Sequence, residues 1–228
     1  MKASPRLALL FIGCLLACQQ AEAQYLNPKI AEKKVTVHSA VILPAKVEIT
    51  KESSKGSEMM VAESEQTSKT VFEAVGQSLE QKKITVIKSP FEGESATTDE
   101  NHRYLLADIQ TRYDALLPKL VDKSKDVKKA RFSLGDDVML LNVDKSADAL
   151  VFIRGHGRVF TKGKTFFTLM NPFSFDVPIV FITIGIVDAR TGEVLVFTKP
   201  AKSSSVLNNP KKLNKLVTES LKKLPASS

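Results

Sequence analysis

Hydrophobic and polar residues alternate with a period of two in the last third of the chain. Residues 150–160 carry aliphatic side chains on one side and polar ones on the other in their second half, which is typical of a strand with one wet face. Residues 179–187 contain no charge, as expected of a central strand covered on both faces. A third apolar run, residues 194–198, follows a short turn. These runs predict the heart of a β-sheet.

Earlier in the chain, apolar residues recur with the spacing of a helix, as at Val71, Ala74, Val75, Ser78 and Leu79. The predicted helices cover residues 57–82, 102–126, 135–146 and 210–224. Two further strands are predicted at residues 35–44 and 84–88. Because helices alternate with strands, the fold class is predicted to be α/β, with a mixed sheet of about five strands, packed helices and a closing antiparallel hairpin.

The turn before the last strand has the sequence Asp-Ala-Arg-Thr-Gly-Glu at residues 188–193. Gly192 takes a positive φ without strain, and the Asp188 carboxylate is placed to accept a hydrogen bond from a turn amide. We therefore predict a structural role for Asp188, Thr191 and Gly192.

Two motifs in this region carry a family resemblance. The pattern A-D-x-L-V-x-I-x-G-x-G begins at residue 147, and I-x-I-x-I-V-D-A-x-T-G-E-V-L begins at residue 182. Together they resemble the amino-terminal domain of TolB and the related envelope proteins of the curli-secretion (CsgG) and penicillin-binding-protein-activator type. The resemblance implies an α/β domain that ends in a hairpin with this turn. The matching residues are structural, so the resemblance implies a fold and not an activity.

The first residues have the layout of an export signal. Lys2 and Arg6 precede the apolar residues 7–17, and an A-x-A cleavage site ends at Ala23, which predicts a signal peptide over residues 1–23. Alternatively, residues 15–18 resemble a bacterial lipobox that would place a lipid on Cys18. We expect a tether at 24–34 and a single α/β domain at 35–225.

The only two cysteines, Cys14 and Cys18, lie in the export segment, so the mature chain is predicted to hold together without a disulfide. Removing residues 1–23 leaves 31 basic and 24 acidic residues, a net charge of +7. This excess favours anionic partners or serves solubility alone. The basic amphipathic helix at 210–224 either packs across the sheet or lies on an anionic membrane.

Three polar residues form the candidate binding site. Arg154, His156 and Arg158 fall on one side of the same predicted strand, about 7 Å apart, so they are placed to hold an anionic group together. The alternative is an exposed half-strand whose charges keep it soluble.

The loop at residues 161–178 is unusually apolar for a surface loop. It contains Phe166, Phe167, Phe173 and Phe175, which either fold back over the core or contact a membrane or another subunit. In curli-type channel proteins, which the chain resembles, hairpins from a comparable domain build a transmembrane barrel.

The sequence contains no recognised catalytic constellation. It has no G-x-S-x-G or H-E-x-x-H motif, no thiol beyond the export segment, and no cluster of histidines with carboxylates. The glycines of residues 157–165 lack the spacing of a phosphate-binding loop, and no base-stacking motif indicates nucleic-acid binding. We expect no catalytic residue, no cofactor and no metal.

These observations predict an exported bacterial cell-envelope protein, located in the periplasm or at the outer-membrane periphery. We expect a non-enzymatic binding or scaffold module whose partner is an envelope protein or an anionic wall or lipid component. One alternative is a subunit of an oligomeric outer-membrane secretion or assembly complex. Another is an enzyme with an unrecognised site.

Overall fold

The computed structural model describes residues 24–89, 91, 99–141, 146–160, 179–199, 201–203 and 209–227. In chain order the strands are β1 (Gln24–Leu26), β2 (Ser39–Ile42), β3 (Lys46–Ser53), β4 (Gly56–Met59), β5 (Thr85–Ile87), β6 (Ala149–Phe160), β7 (Ile179–Asp188), β8 (Val194–Thr198) and β9 (Ala201–Ser203). The α-helices are α1 (Pro28–Ala31), α2 (Val61–Gln81), α3 (Glu100–Asp122) and α4 (Pro210–Ser220), and two 3-10 helices cover Ser124–Lys129 and Asp136–Leu141. The predicted mixed α/β class is confirmed.

The sheet is built around the long antiparallel pair β6 and β7, which stays in register from Ala149 opposite Asp188 to Gly157 opposite Val180. The main strand order is β1-β8-β7-β6-β2-β5. Strands β7 and β8 form the predicted closing antiparallel hairpin. The central position of β6 fits its buried first half, in which residues 149–153 are all fully covered.

Two strands pair with the outer edge of each member of this central pair. Strand β2 runs parallel to the first part of β6, and β3 runs parallel to its second part from Arg154 to Phe160. Pro44 lies between them, and because proline has no N–H to donate to a ladder, it separates the two pairings. On the other side, β8 and β9 pair with different parts of β7.

Each face of the sheet is covered by its own set of helices. On β6 the odd residues Ala149, Val151 and Ile153 pack with α2 and α4, whereas Leu150 and Phe152 pack with α3 and the 3-10 helices. This follows from the period of two in a strand, which sends successive side chains to opposite faces.

The two helices on the first face match the helical spacing in the sequence. The apolar stripe of α2 is buried from Val71 to Leu79. In α4, Leu213, Leu216 and Val217 are buried. The two helices meet where the Ser78 and Thr218 hydroxyls lie 3.2 Å apart. The apolar face of α4 is therefore packed inside the domain, in agreement with the first of the two alternatives.

Several expectations differ from the structure. The estimate of about five strands is wrong, since the described residues hold nine. The expected tether at 24–34 contains β1, which pairs with β8, and α1, which buries Ile30. The hairpin of β3 and β4 was not among the predicted elements. The helix expected at 135–146 is a 3-10 helix over Asp136–Leu141.

Pro118 neither splits nor ends α3, which continues to Asp122. Proline removes one backbone donor from a helix, and here the carbonyl one turn earlier belongs to Asp114. The residue is exposed, so its ring meets solvent and not the sheet.

The turn between β7 and β8 is held by its first side chain. Asp188 Oδ1 accepts hydrogen bonds of 2.9 Å from the amides of Arg190 and Thr191. Gly192 has a φ of +68°, and an added Cβ would lie 2.1 Å from the carbonyl oxygen of Gly135. The turn thus requires glycine for its conformation and for its close approach to the loop before the second 3-10 helix.

In the part of the chain that the structure describes, none of the helices combines the length and the apolar composition that a bilayer span requires.

Candidate functional site

The candidate site lies where α3 stops covering the second face of the sheet. Beyond Phe152, the next residues of β6 on this face are Arg154, His156 and Arg158. Arg154 is 6% exposed, while the other two are exposed. The three predicted residues therefore share a face, but only the first is inside the fold.

Arg154 is held by a carboxylate from α3. Its Nε donates a 2.6 Å hydrogen bond to Asp114 Oδ1, and its Nη1 donates a 3.0 Å bond to the carbonyl of Ile153. The Asp114 side chain is 40% exposed, so the pair has one buried and one partly hydrated end. Nη2 of Arg154 is buried and has no hydrogen-bond partner among the described residues.

An aromatic pair packs against the guanidinium of Arg154. Tyr113 stacks on Phe152 with 4.4 Å between ring centroids, and the Arg154 Cζ lies 5.8 Å from the Tyr113 centroid. This places a cation near the face of a ring, which is attractive because the ring face is electronegative. Burial raises the pKa of the Tyr113 hydroxyl, with a smaller opposing effect from Arg154.

A cleft of about 320 Å³ opens beside this pair. It is lined by Lys46, Glu48, Asp114, Leu117, Arg154, Gly155, His156, Phe181 and Thr183. The register explains the set, because Arg154 is opposite Lys46 on β3 and Thr183 on β7, and His156 is opposite Glu48 and Phe181. Side chains from three strands and one helix therefore converge on one cleft.

The cleft combines charged and apolar walls. Lys46 and Glu48 form an exposed ion pair with 3.2 Å between Nζ and Oε1. Leu117 and Phe181, both half-buried, supply apolar surface. The Thr183 hydroxyl donates a 3.2 Å hydrogen bond to the Arg154 carbonyl, so it is engaged with the backbone of β6.

Arg158 lies outside this cleft. Its Nε is 3.4 Å from His156 Nε2, so the two exposed side chains contact each other. The joint grip of an anion by all three predicted residues stays a prediction, and the geometry favours Arg154 and His156 as its members within the cleft.

The remaining predicted residues fall elsewhere. Cys18 lies outside the described residues, and so do Phe166, Phe167, Phe173 and Phe175. Asp188, Thr191 and Gly192 form the turn described above, at the end of β7 opposite to the cleft.

Asp114, Lys46 and Glu48 were missed by sequence reasoning. Asp114 directly follows the buried Tyr113 in α3, and its position in the helix does not by itself mark it as the partner of a buried cation. Lys46 and Glu48 were missed because β3 was not predicted, so the register that places them opposite Arg154 and His156 could not be derived.

Most polar groups of the cleft already have partners within the fold. Its carboxylates already face cations, and its one hydroxyl donates to the backbone. Among the residues that the structure describes, no group of three or more histidine, cysteine, aspartate or glutamate side chains is placed to hold a metal ion.

Comparisons with known proteins give distant similarities in structure. No family model matches the chain, and no curated protein matches it. The PelC dodecamer from Paraburkholderia phytofirmans is similar with 11% sequence identity and a TM-score of 0.42, covering 89% of this chain and 97% of that chain. A variant of the same dodecamer has 12% sequence identity to this chain and a TM-score of 0.41, with the same coverage of both chains.

The lipoprotein GNA1162 from Neisseria meningitidis has 13% identity and a TM-score of 0.34, covering 74% of this chain and 83% of that chain. At these TM-scores the likenesses carry no argument about function or assembly. The resemblance to TolB and the curli-secretion proteins stays a prediction.

Proposed function

We propose that the protein is an exported cell-envelope binding protein that holds a small organic anion in the cleft beside Arg154 and carries out no chemistry on it. The observation that carries the proposal is the buried guanidinium of Arg154, whose Nη2 has no partner among the described residues. A buried polar group without a hydrogen bond costs about 1–3 kcal/mol, and a charged one costs more, so a ligand that supplies the missing acceptor would recover this free energy.

The walls of the cleft define the ligand class. The acidic group of the ligand faces Arg154 and Lys46, while an apolar part packs between Leu117 and Phe181. Asp114 keeps the guanidinium in place, and Glu48 disfavours ligands with several negative charges. A monoanion with a flat or aliphatic body fits this arrangement best.

The absence of reaction is inferred from the same contacts. Acid-base catalysis requires a titratable group positioned against the reacting atom. The carboxylates of the cleft face cations, and the His156 ring contacts Arg158, so among the described contacts no carboxylate of the cleft is bonded to the histidine. The export part of the proposal rests on Lys2, Arg6 and the apolar residues 7–17.

Thermal unfolding with two matched probes tests this function. Benzoate and benzamide have the same shape, but only benzoate carries a charge. We expect benzoate at ten times its dissociation constant to stabilise the protein by about 1.4 kcal/mol, and benzamide to have little effect.

Two variants locate the binding. Leu117→Trp narrows the cleft and leaves the Arg154–Asp114 pair untouched, so it should abolish the benzoate effect. Tyr104→Trp, at an exposed position of the same helix, is the matched control and should retain it. Equal effects of the two probes, or a benzoate effect that survives Leu117→Trp, would contradict an anion site in this cleft.

A further inference from the structure

Five lysines gather at the end of the domain where the described chain begins. This basic end consists of Lys33, Lys82, Lys83, Lys222 and Lys223, and all but Lys82 are exposed. It is away from the cleft, because these residues follow α1, α2 and α4 on the opposite face of the sheet.

Hydrogen bonds bring these lysines together around residues 222–227. Lys82 Nζ donates to the carbonyl of Lys222 at 2.9 Å, and the Lys82 carbonyl accepts from the amide of Ser227 at 2.8 Å. Lys33 lines a small hollow with Leu224 and Pro225. The basic end is thus built from three neighbouring segments of the chain.

Two of the lysines stand where glycine is preferred. Lys33 and Lys83 have φ values of 57° and 59°, and each follows the last residues of a helix. This left-handed position at a helix end is most often glycine, because a Cβ is strained there. Lysine at both positions therefore adds positive charge to the same surface, although the backbone conformation there is strained for a residue with a Cβ.

The charges at this end are largely available. Within the described part of the chain, Lys33, Lys83 and Lys222 form no ion pair, whereas the neighbouring Lys34 is neutralised by Glu32 at 2.6 Å. Several uncompensated lysines on one surface attract an extended anionic surface more strongly than a single small anion.

The path of the chain points to the kind of surface. Gln24 Oε1 accepts a 2.7 Å hydrogen bond from the amide of Lys223, so the described chain starts at the basic end. From Gln24, six residues span at most about 22 Å back to Cys18. A lipid on Cys18 would therefore hold this end near a bilayer, and cleavage after Ala23 would instead add a positive amino terminus there.

We propose that the basic end docks on an anionic phospholipid bilayer, with the cleft directed away from the membrane. Lysines near an anionic membrane each strengthen binding about fivefold, and the effect falls off within a Debye length. This proposal does not depend on the ligand of the cleft.

Vesicle sedimentation tests the proposal on the exported protein as purified from cells. The measured quantity is the ratio of partition coefficients between vesicles of equal parts phosphatidylglycerol and phosphatidylcholine and vesicles of phosphatidylcholine alone. This ratio isolates the electrostatic contact, because a lipid chain inserts in both kinds of vesicle.

The variant Lys33→Asn, Lys83→Asn, Lys222→Gln should lower this ratio about a hundredfold, at about fivefold for each lysine. The matched control, Lys51→Gln, Lys55→Gln, Lys69→Gln, removes the same charge from exposed positions elsewhere and should lower it far less. Asparagine tolerates the left-handed conformation, so thermal stability should be unchanged or higher in the first variant.

Three outcomes would overturn the proposal. The first is an equal loss in both variants, which indicates net charge alone. The second is a ratio for the natural protein that is near one or is unchanged by about 0.5 M salt, where the Debye length is about 4 Å. The third is binding to soluble polyglutamate with no binding to anionic vesicles, which indicates an acidic polymer as partner.

Discussion

The ring of Tyr113 fills the space over Gly185 so closely that a Cβ at position 185 would lie 2.2 Å from the tyrosine oxygen. Tyr113 is fixed in turn by its stack on Phe152. Helix α3 and strand β7 therefore approach each other closely here, because the Tyr113 ring packs against a residue that has no side chain. The Arg154 guanidinium lies near the face of the same ring.

Gly185→Ala should destabilise the protein by at least about 2 kcal/mol, because the stacked ring cannot yield without disturbing the core. Gly76→Ala is the control, since its Cβ would meet only Ile42 at an ordinary 3.7 Å. In the middle of a helix this second change should stabilise by up to about 1 kcal/mol. Denaturant unfolding of both variants measures the difference, and equal effects would contradict the described packing.

Stability should fall at alkaline pH because of Tyr113. Burial raises the pKa of its hydroxyl, so the folded state keeps the proton while the unfolded state releases it above about pH 10. The stabilisation is complete below that pH and declines above it, by about 1.4 kcal/mol at pH 11.

Tyr113→Phe should lack this alkaline loss. At neutral pH it should be as stable as the natural protein or more so, because the Tyr113 hydroxyl has no hydrogen-bond partner among the described residues. The free energies of unfolding of both proteins at pH 7 and pH 11 measure this difference. An equal decline in both would exclude Tyr113 as the cause.

The Arg154–Asp114 pair should respond asymmetrically to substitution. Asp114→Ala leaves the Arg154 side chain, which is 7% exposed, without its charged partner, and this should cost about 3 kcal/mol. Arg154→Met leaves a carboxylate that water still reaches, and it should cost about half as much. The double variant should be less destabilised than the sum of the two. A double-mutant cycle measures this coupling, and strict additivity would mean that the pair is not formed.

The ion pair of Asp137 with Arg112 should contribute only above acidic pH. Two hydrogen bonds from Arg112 lower the pKa of the Asp137 carboxyl, so its stabilisation is present above about pH 4 and is lost as pH falls.

Because Asp137 is 45% exposed, solvent screening limits the cost of Asp137→Asn at pH 7 to less than about 1 kcal/mol. The cost should disappear near pH 2. Asp136→Asn removes the same charge from the preceding, exposed residue and is the matched control for the loss of charge alone. Identical pH profiles for the two variants would contradict this assignment.

Export should leave a chain that lacks at least residues 1–17, and intact mass of the natively purified protein measures this. A species beginning at Gln24 indicates removal of a signal peptide, and one beginning at a lipidated Cys18 indicates an anchored protein. A full-length chain starting at Met1 would contradict both.

Hydrophobic periodicity was sufficient to predict an element where apolar residues dominate at least one of its faces. The stripes of α2 and α4 follow directly from their helical spacing, and the uncharged run of β7 indicates a strand covered on both sides. In these elements burial is decided locally, so the sequence carries the answer.

Strand β3 was missed for the opposite reason. Its inward residues are only Val47 and Ile49, and its outward ones are charged or polar, so the segment reads as a strand end followed by a loop. Its place in the sheet is decided by β6, about a hundred residues later, and a linear pattern does not contain that pairing.

The candidate site depends on such distant pairings. Arg154, His156 and Arg158 were found because alternation puts them on one face, but the carboxylate that pairs with the buried Arg154 comes from Asp114 on α3. The walls formed by Lys46 and Phe181 follow from strand register, which is a property of the assembled sheet.

The pairing of β1 with β8 also sets the order in which the domain is able to assemble during synthesis. Gln24 is opposite Thr198, and β2 pairs with β6, so the early strands have their partners late in the chain. Contacts between residues so far apart form slowly, because the loop between them must close first. The first half of a nascent chain therefore has no complete sheet to fold into. Such a chain stays unfolded until its last strands have been synthesised, which is the state that the proposed export across a membrane would require.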